Sequence, residues 1–73
     1  MSTEYGPTDP SDVDAATRGL HGVIAAREVY ERYCEVARGN RRHPGHITAV
    51  GQILVRMGFA RRKKQGKTFY CFW

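Results

Sequence analysis

The sequence predicts a small α+β domain: three helices, then a C-terminal β-hairpin. Three observations predict it. Two central segments repeat their apolar residues at helical spacing. A Pro/Gly loop separates them. An X-Gly pair, Gln65–Gly66, then divides two short runs rich in cations and aromatics.

The chain has 73 residues, which bounds it to one domain. No run of about 18 apolar residues offers a membrane span. The opening "MSTEYGPTDP" lacks the basic start and apolar core of a secretory signal. It reads as a flexible tail over 1–10, leaving 11–73 as the folded domain of a cytoplasmic protein.

In "SDVDAATRGL", Ser11 is the N-cap candidate and Asp12 and Asp14 suit a first turn. Val13, Ala16 and Leu20 share a helix face. "GVI" at 22–24 is a short extended piece. "AAREVYERYCEVARGN" predicts a helix over 25–38, with Ala26, Tyr30, Tyr33, Cys34 and Ala37 in one apolar stripe. Arg27, Glu28, Glu31, Arg32, Glu35 and Arg38 fill the other face, with Glu28 and Arg32 spaced for a surface pair. Gly39 and Asn40 end the helix. The helical period of the tyrosines assigns them to the core rather than to base stacking.

"NRRHPGH" is the loop. "ITAVGQILVRMGF" predicts a second helix over 48–57, with Thr48 as N-cap and Gly58 as stop. Val50, Ile53, Leu54 and Met57 form its apolar face; Thr48, Gln52, Val55 and Arg56 lie opposite. In the hairpin, 59–72, pairing Lys64 with Lys67 sets Phe59 opposite Phe72 and Arg61 opposite Tyr70. The face bearing Phe59, Tyr70 and Phe72 turns to the core.

Charge is segregated. All seven carboxylates lie at or before Glu35, where only three arginines offset them, leaving −4. From Val36 onward nine Lys and Arg and no acid leave +9. A basic half without carboxylates fits a polyanion, best a nucleic acid. A membrane surface fits less well, since the cations sit on no amphipathic helix.

Two helices joined by a tight loop make a helix-turn-helix. A hairpin after the second helix is then a wing, and the fold a winged helix-turn-helix. In that arrangement the second helix enters the major groove and the wing meets the backbone. Gln52 and Arg56, one turn apart, have planar groups suited to adenine and guanine edges; the alternative is an ordinary solvated face. Thr48 could bond a phosphate besides capping. Arg41 and Arg42 before that helix, and Arg61, Arg62, Lys63, Lys64 and Lys67 in the wing, are the phosphate candidates; basic surface without a partner is the alternative. His43 and His46, in an H-x-x-H spacing, are default loop residues, though a protonated His46 would strengthen phosphate binding.

Metal and catalytic readings are poorer. With His21 the only third histidine and both cysteines, Cys34 and Cys71, in packing positions, no zinc ligand set forms. The cysteines read as reduced thiols, with a Cys34–Cys71 disulfide left open. The carboxylates lie away from the basic half, and no nucleophile–base pair has a pocket. The expectation is no enzyme and no cofactor.

The stretch "VYERYCEV...HPGHITAVGQILVRMGFARRKKQGKTFY" resembles the C-terminal winged-helix domain of phage- and poxvirus-type primase-helicases. The likeness rests on Tyr30, Tyr33 and Cys34 in one helix, Leu54-x-x-x-Gly58 closing the next, and the basic–Gly–aromatic run from Arg61 to Tyr70. It covers 25–73 and implies the winged-helix fold and DNA binding. With no primase or helicase domain preceding, the expectation is a free-standing binder of double-stranded DNA: a phage-like regulator, replication accessory or excisionase-type factor. The rival is a protein-interaction module using the acidic face of Glu28, Glu31 and Glu35. Single-strand or RNA binding ranks below both, because the aromatics follow structural periods instead of interleaving with cations on one sheet face.

Overall fold

In a computed structural model of the protein, which describes residues 8–72, the chain turns helical at Pro10. Proline suits a first helical position because its missing N–H would have no partner there. Asp9 caps the helix, its Oδ1 accepting the Ser11 N–H at 2.8 Å. The expected Ser11 cap is therefore wrong: Pro10 begins the helix, and the cap falls two residues earlier, at Asp9. Helix α1 (Pro10–Thr17) buries Val13 and Ala16, with Leu20 packed beside them. Of the expected tail, only residues 8–10 are described, and Asp9 and Pro10 belong to α1's start.

Strand β1 (Gly22–Ala25) runs straight into helix α2 (Ala26–Gly39). Helix α2 buries Val29, Tyr33, Cys34 and Ala37, with Ala26 and Tyr30 half-buried. Val29, left out of the expected stripe, sits between Ala26 and Tyr33 on the same face. The expected Glu28–Arg32 pair is replaced. Arg32 Nε donates to the Ala16 carbonyl at 3.2 Å, joining α2 to α1, and the helix's ion pair is Arg27–Glu31 at 3.9 Å. That exposed pair adds little stability.

Asn40 ends α2 as expected, but the details differ. Gly39 is still helical and Asn40 is the C-cap, while Arg41 takes the left-handed conformation at φ 59°. Arg42 N–H donates to the Ala37 carbonyl at 2.8 Å and Arg41 N–H to Arg38 at 2.9 Å. This is a Schellman closure with arginine where glycine is usual.

The loop to α3 is held by tyrosines. The Tyr30 hydroxyl donates to the Gly45 carbonyl at 2.8 Å, and the Tyr33 hydroxyl accepts the buried Gly45 N–H at 2.7 Å. A Cβ at Gly45 would collide with the Thr8 side chain. One residue later His46 caps helix α3 (Ile47–Arg56), its Nδ1 accepting the Thr48 N–H at 3.1 Å. The expected cap, Thr48, lies instead inside the first turn, because the chain caps two residues earlier, at His46. Val50, Gly51 and Leu54 are buried and Ile53 half-buried. Met57, expected on the apolar face, is the C-cap and 38% exposed. Gly58, at φ 98°, makes the stop.

Strands β2 (Ala60–Lys64) and β3 (Lys67–Phe72) pair antiparallel with Lys64 opposite Lys67 and Arg61 opposite Tyr70, as expected. Gln65 (φ 53°) and Gly66 (φ 77°) both have positive φ, the signature of a type I′ turn. Strand β1 pairs along the other edge of β3, so the sheet order is β1-β3-β2. Tyr70 and Phe72 enter the core beside Leu54 and Tyr33, and Phe59 packs 4.7 Å from the Phe72 ring centre. Gly51 brings α3 close to the sheet: a Cβ there would lie 2.6 Å from the Tyr70 hydroxyl. Cys34 and Cys71 are both buried free thiols.

Replacing Tyr33 by Phe keeps the ring but strands the Gly45 N–H in the interior. It should destabilise the protein by about 1–3 kcal/mol in urea unfolding. Tyr30→Phe should cost less, since the Tyr30–Gly45 hydrogen bond is only part-buried and water can replace the hydroxyl. Wild-type stability in both variants would show that the tyrosines act through their rings alone.

Candidate nucleic-acid interface

The expected contact residues fall into three groups, and one of them is already engaged. Arg42 Nη1 lies 2.6 Å from Asp9 and 3.0 Å from Asp12. Asp12 is 2% exposed and also accepts from Asn40 Nδ2 at 2.9 Å. A buried carboxylate is tolerated only when so paired. Arg42 therefore fastens α1 to the loop before α3, and its availability to phosphate is reduced. Arg41, its neighbour, is exposed.

On α3, Thr48, Gln52 and Arg56 are exposed and follow one another at one-turn spacing. Val55, 48% exposed, lies on the same side. No acid occurs on this helix or anywhere after Glu35. His46 is exposed beside them, but its Nδ1 is spent on the cap and must be unprotonated to accept there.

The hairpin cations Arg61, Arg62, Lys63, Lys64 and Lys67 are all exposed. Strand alternation divides them. Arg61 and Lys63 share the face of Thr68 and Tyr70, towards the helices; Arg62, Lys64 and Lys67 share the outer face with Phe69. Two shallow depressions lie one on each side, lined by Arg61, Lys63 and Thr68 and by Val23, Arg62, Lys64 and Phe69, and Lys63 borders both. A third, lined by Ala25, Ala26, Arg27, Ile47, Lys67 and Thr68, brings the start of α3 to the turn end of strand β3. The α3 surface and the hairpin are thus neighbours.

Phe69 and Arg27 were not expected at this surface. Alternation alone could have placed Phe69 outward, since Tyr70 and Phe72 were turned inward. Arg27's place beside Ile47 and Lys67 depends on how α2 packs, and the sequence carries no signal for it. Among the described residues no group of three His, Cys, Asp or Glu could hold a metal, and no helix is long and apolar enough to cross a membrane. Compared with known proteins, the chain matches no family model, no curated protein and no solved structure.

Arg41 holds a left-handed conformation that disfavours a Cβ by about 1 kcal/mol. Arg41→Gly should therefore raise the unfolding free energy by up to about 1 kcal/mol. If the arginine is kept for a phosphate contact, the same variant binds DNA more weakly. A variant that gains stability and loses no affinity would remove Arg41 from the interface.

Proposed function

We propose that the protein is a winged helix-turn-helix binder of double-stranded DNA. Helices α2 and α3 form the helix-turn-helix, α3 reads the major groove, and the β2–β3 hairpin is the wing. The carrying observation is an acid-free, exposed helix face (Thr48, Gln52, Arg56) whose first turn lies beside a hairpin with five exposed cations. The element order and the β1-β3-β2 sheet agree with the winged-helix pattern, and so does the resemblance to the primase-helicase C-terminal domain. In this reading Gln52 and Arg56 bond base edges, while Arg41, Thr48 and the hairpin cations bond phosphates. The protein does no chemistry on the DNA; as a phage-like regulator, replication accessory or excisionase-type factor, it acts by occupying a site.

A second reading has its own observation. A groove along α2 is lined by Arg27, Glu31, Glu35 and Arg38, with Tyr30 and Cys34 at its floor. Its mixed charges suit a protein surface better than a polyanion.

Titrating duplex DNA at two salt concentrations separates the readings. Phosphate neutralisation by several cations makes log K fall by roughly 0.9 per contact for each unit of log salt. A flat slope, or no duplex binding at low salt, favours the protein-interaction reading.

Base reading and phosphate binding should also separate by mutation. Arg56→Ala should cost about 1–3 kcal/mol on a preferred site and much less on random duplex. Replacing both Lys63 and Lys64 by Ala should weaken all duplexes about equally and lower the salt slope by up to about two. Competition between the two duplexes measures both. Loss of sequence preference in the lysine variant alone would assign base reading to the wing.

A further inference from the structure

We propose that the outer face of the sheet is a stacking site for an unpaired nucleic-acid strand; it rests on the cations that the proposed function gives to duplex phosphates, and Phe69 is the group that a duplex does not use. Phe69 lies on the central strand β3, with Ala25 opposite it on β1 and Arg62 on β2. The ring is half-buried beside the small Ala25 and the Arg62 side chain, while Cys71, next but one along the same face, is buried. Val23, 57% exposed, extends the apolar surface towards the β1 edge. Towards the turn, Lys64 and Lys67 stand directly opposite each other. Like charges so placed repel, and a bound polyanion removes that repulsion.

An aromatic ring on a sheet, bordered by cations, matches a strand with free base faces and phosphates. A duplex buries its base faces in its own stack and offers Phe69 nothing. An acidic peptide would use the cations and leave the ring idle. The interleaving of aromatic and cation that the linear sequence did not display is present here, because β1 and β2 bring Val23 and Arg62 alongside Phe69.

The test uses the full chain, a labelled oligothymidine of about 12 nucleotides, and a labelled random duplex. The duplex arm reads the proposed function and the oligothymidine arm reads this inference, so either can fail alone. Phe69→Leu keeps an apolar side chain but has no π face. It should weaken oligothymidine binding about fivefold or more and leave duplex binding within about twofold. Phe69→Tyr should bind oligothymidine like the wild type. If Phe69→Leu does not fold, the wild-type chain still decides: its Phe69 ring protons should shift upfield with oligothymidine and stay in place with duplex. The proposal falls if wild-type protein does not bind the oligonucleotide, or if the ring protons do not move. It also falls if Phe69→Leu weakens both ligands equally, or if a polyglutamate peptide displaces the strand as well as oligothymidine does.

Discussion

Gly45 is held at both of its backbone polar groups by two hydroxyls from one helix, and the placement of α3 depends on it. Its N–H is buried and needs a partner; the loop, having no ladder, can supply none of its own. Tyr30 and Tyr33 supply the partners from α2. Their rings fill the core stripe while their hydroxyls reach the loop. With Gly45 fixed, His46 falls where it can cap and Ile47 where the helix begins. The bearing of Thr48, Gln52 and Arg56 follows from that starting point, since a helix fixes the direction of each later side chain.

The acidic half of the chain serves the fold more than the surface. Asp9 and Asp12 draw Arg42 and Asn40 into a network that closes α1 over the end of α2. Asp14 pairs with Arg18, the C-cap of α1. The remaining described acids, Glu28, Glu31 and Glu35, face outward from α2. None of these pairings reaches the hairpin. Its cations keep their full field, and Lys64 faces Lys67 without a carboxylate anywhere in the same segment. Such self-repulsion is a liability for folding and an asset for meeting a polyanion.

Where expectation and structure part, the fault lies at boundaries. Helical period identified α2 and α3, but period says nothing about which residue turns the corner. Ser11 is as good a cap type as Asp9, and Thr48 a better one than His46, yet Asp9 and His46 cap, because the chain enters each helix earlier. Met57 continues the apolar period beyond the last full turn, where little remains to cover it. Gly39 looked like a stop and is helical, while Arg41 bears the left-handed turn. On the candidate surface, exposure of Gln52, Arg56 and the hairpin cations was readable from period and charge. The engagement of Arg42 was not, since its partners lie about thirty residues earlier.

The sequence by itself determined most of each helical face, the two-residue turn and register of the hairpin, and the separation of charge. These depend on residues within a few positions of one another, where spacing converts directly into geometry. Tertiary structure alone decided that β1 joins the free edge of β3, that two tyrosines seize Gly45, and that Asp12 captures Arg42. It also decided that Phe69 has Ala25 and Arg62 for neighbours. Each of these joins residues from separate elements, and their meeting is set by how the elements close around Tyr33, Leu54 and Phe72 rather than by any local pattern.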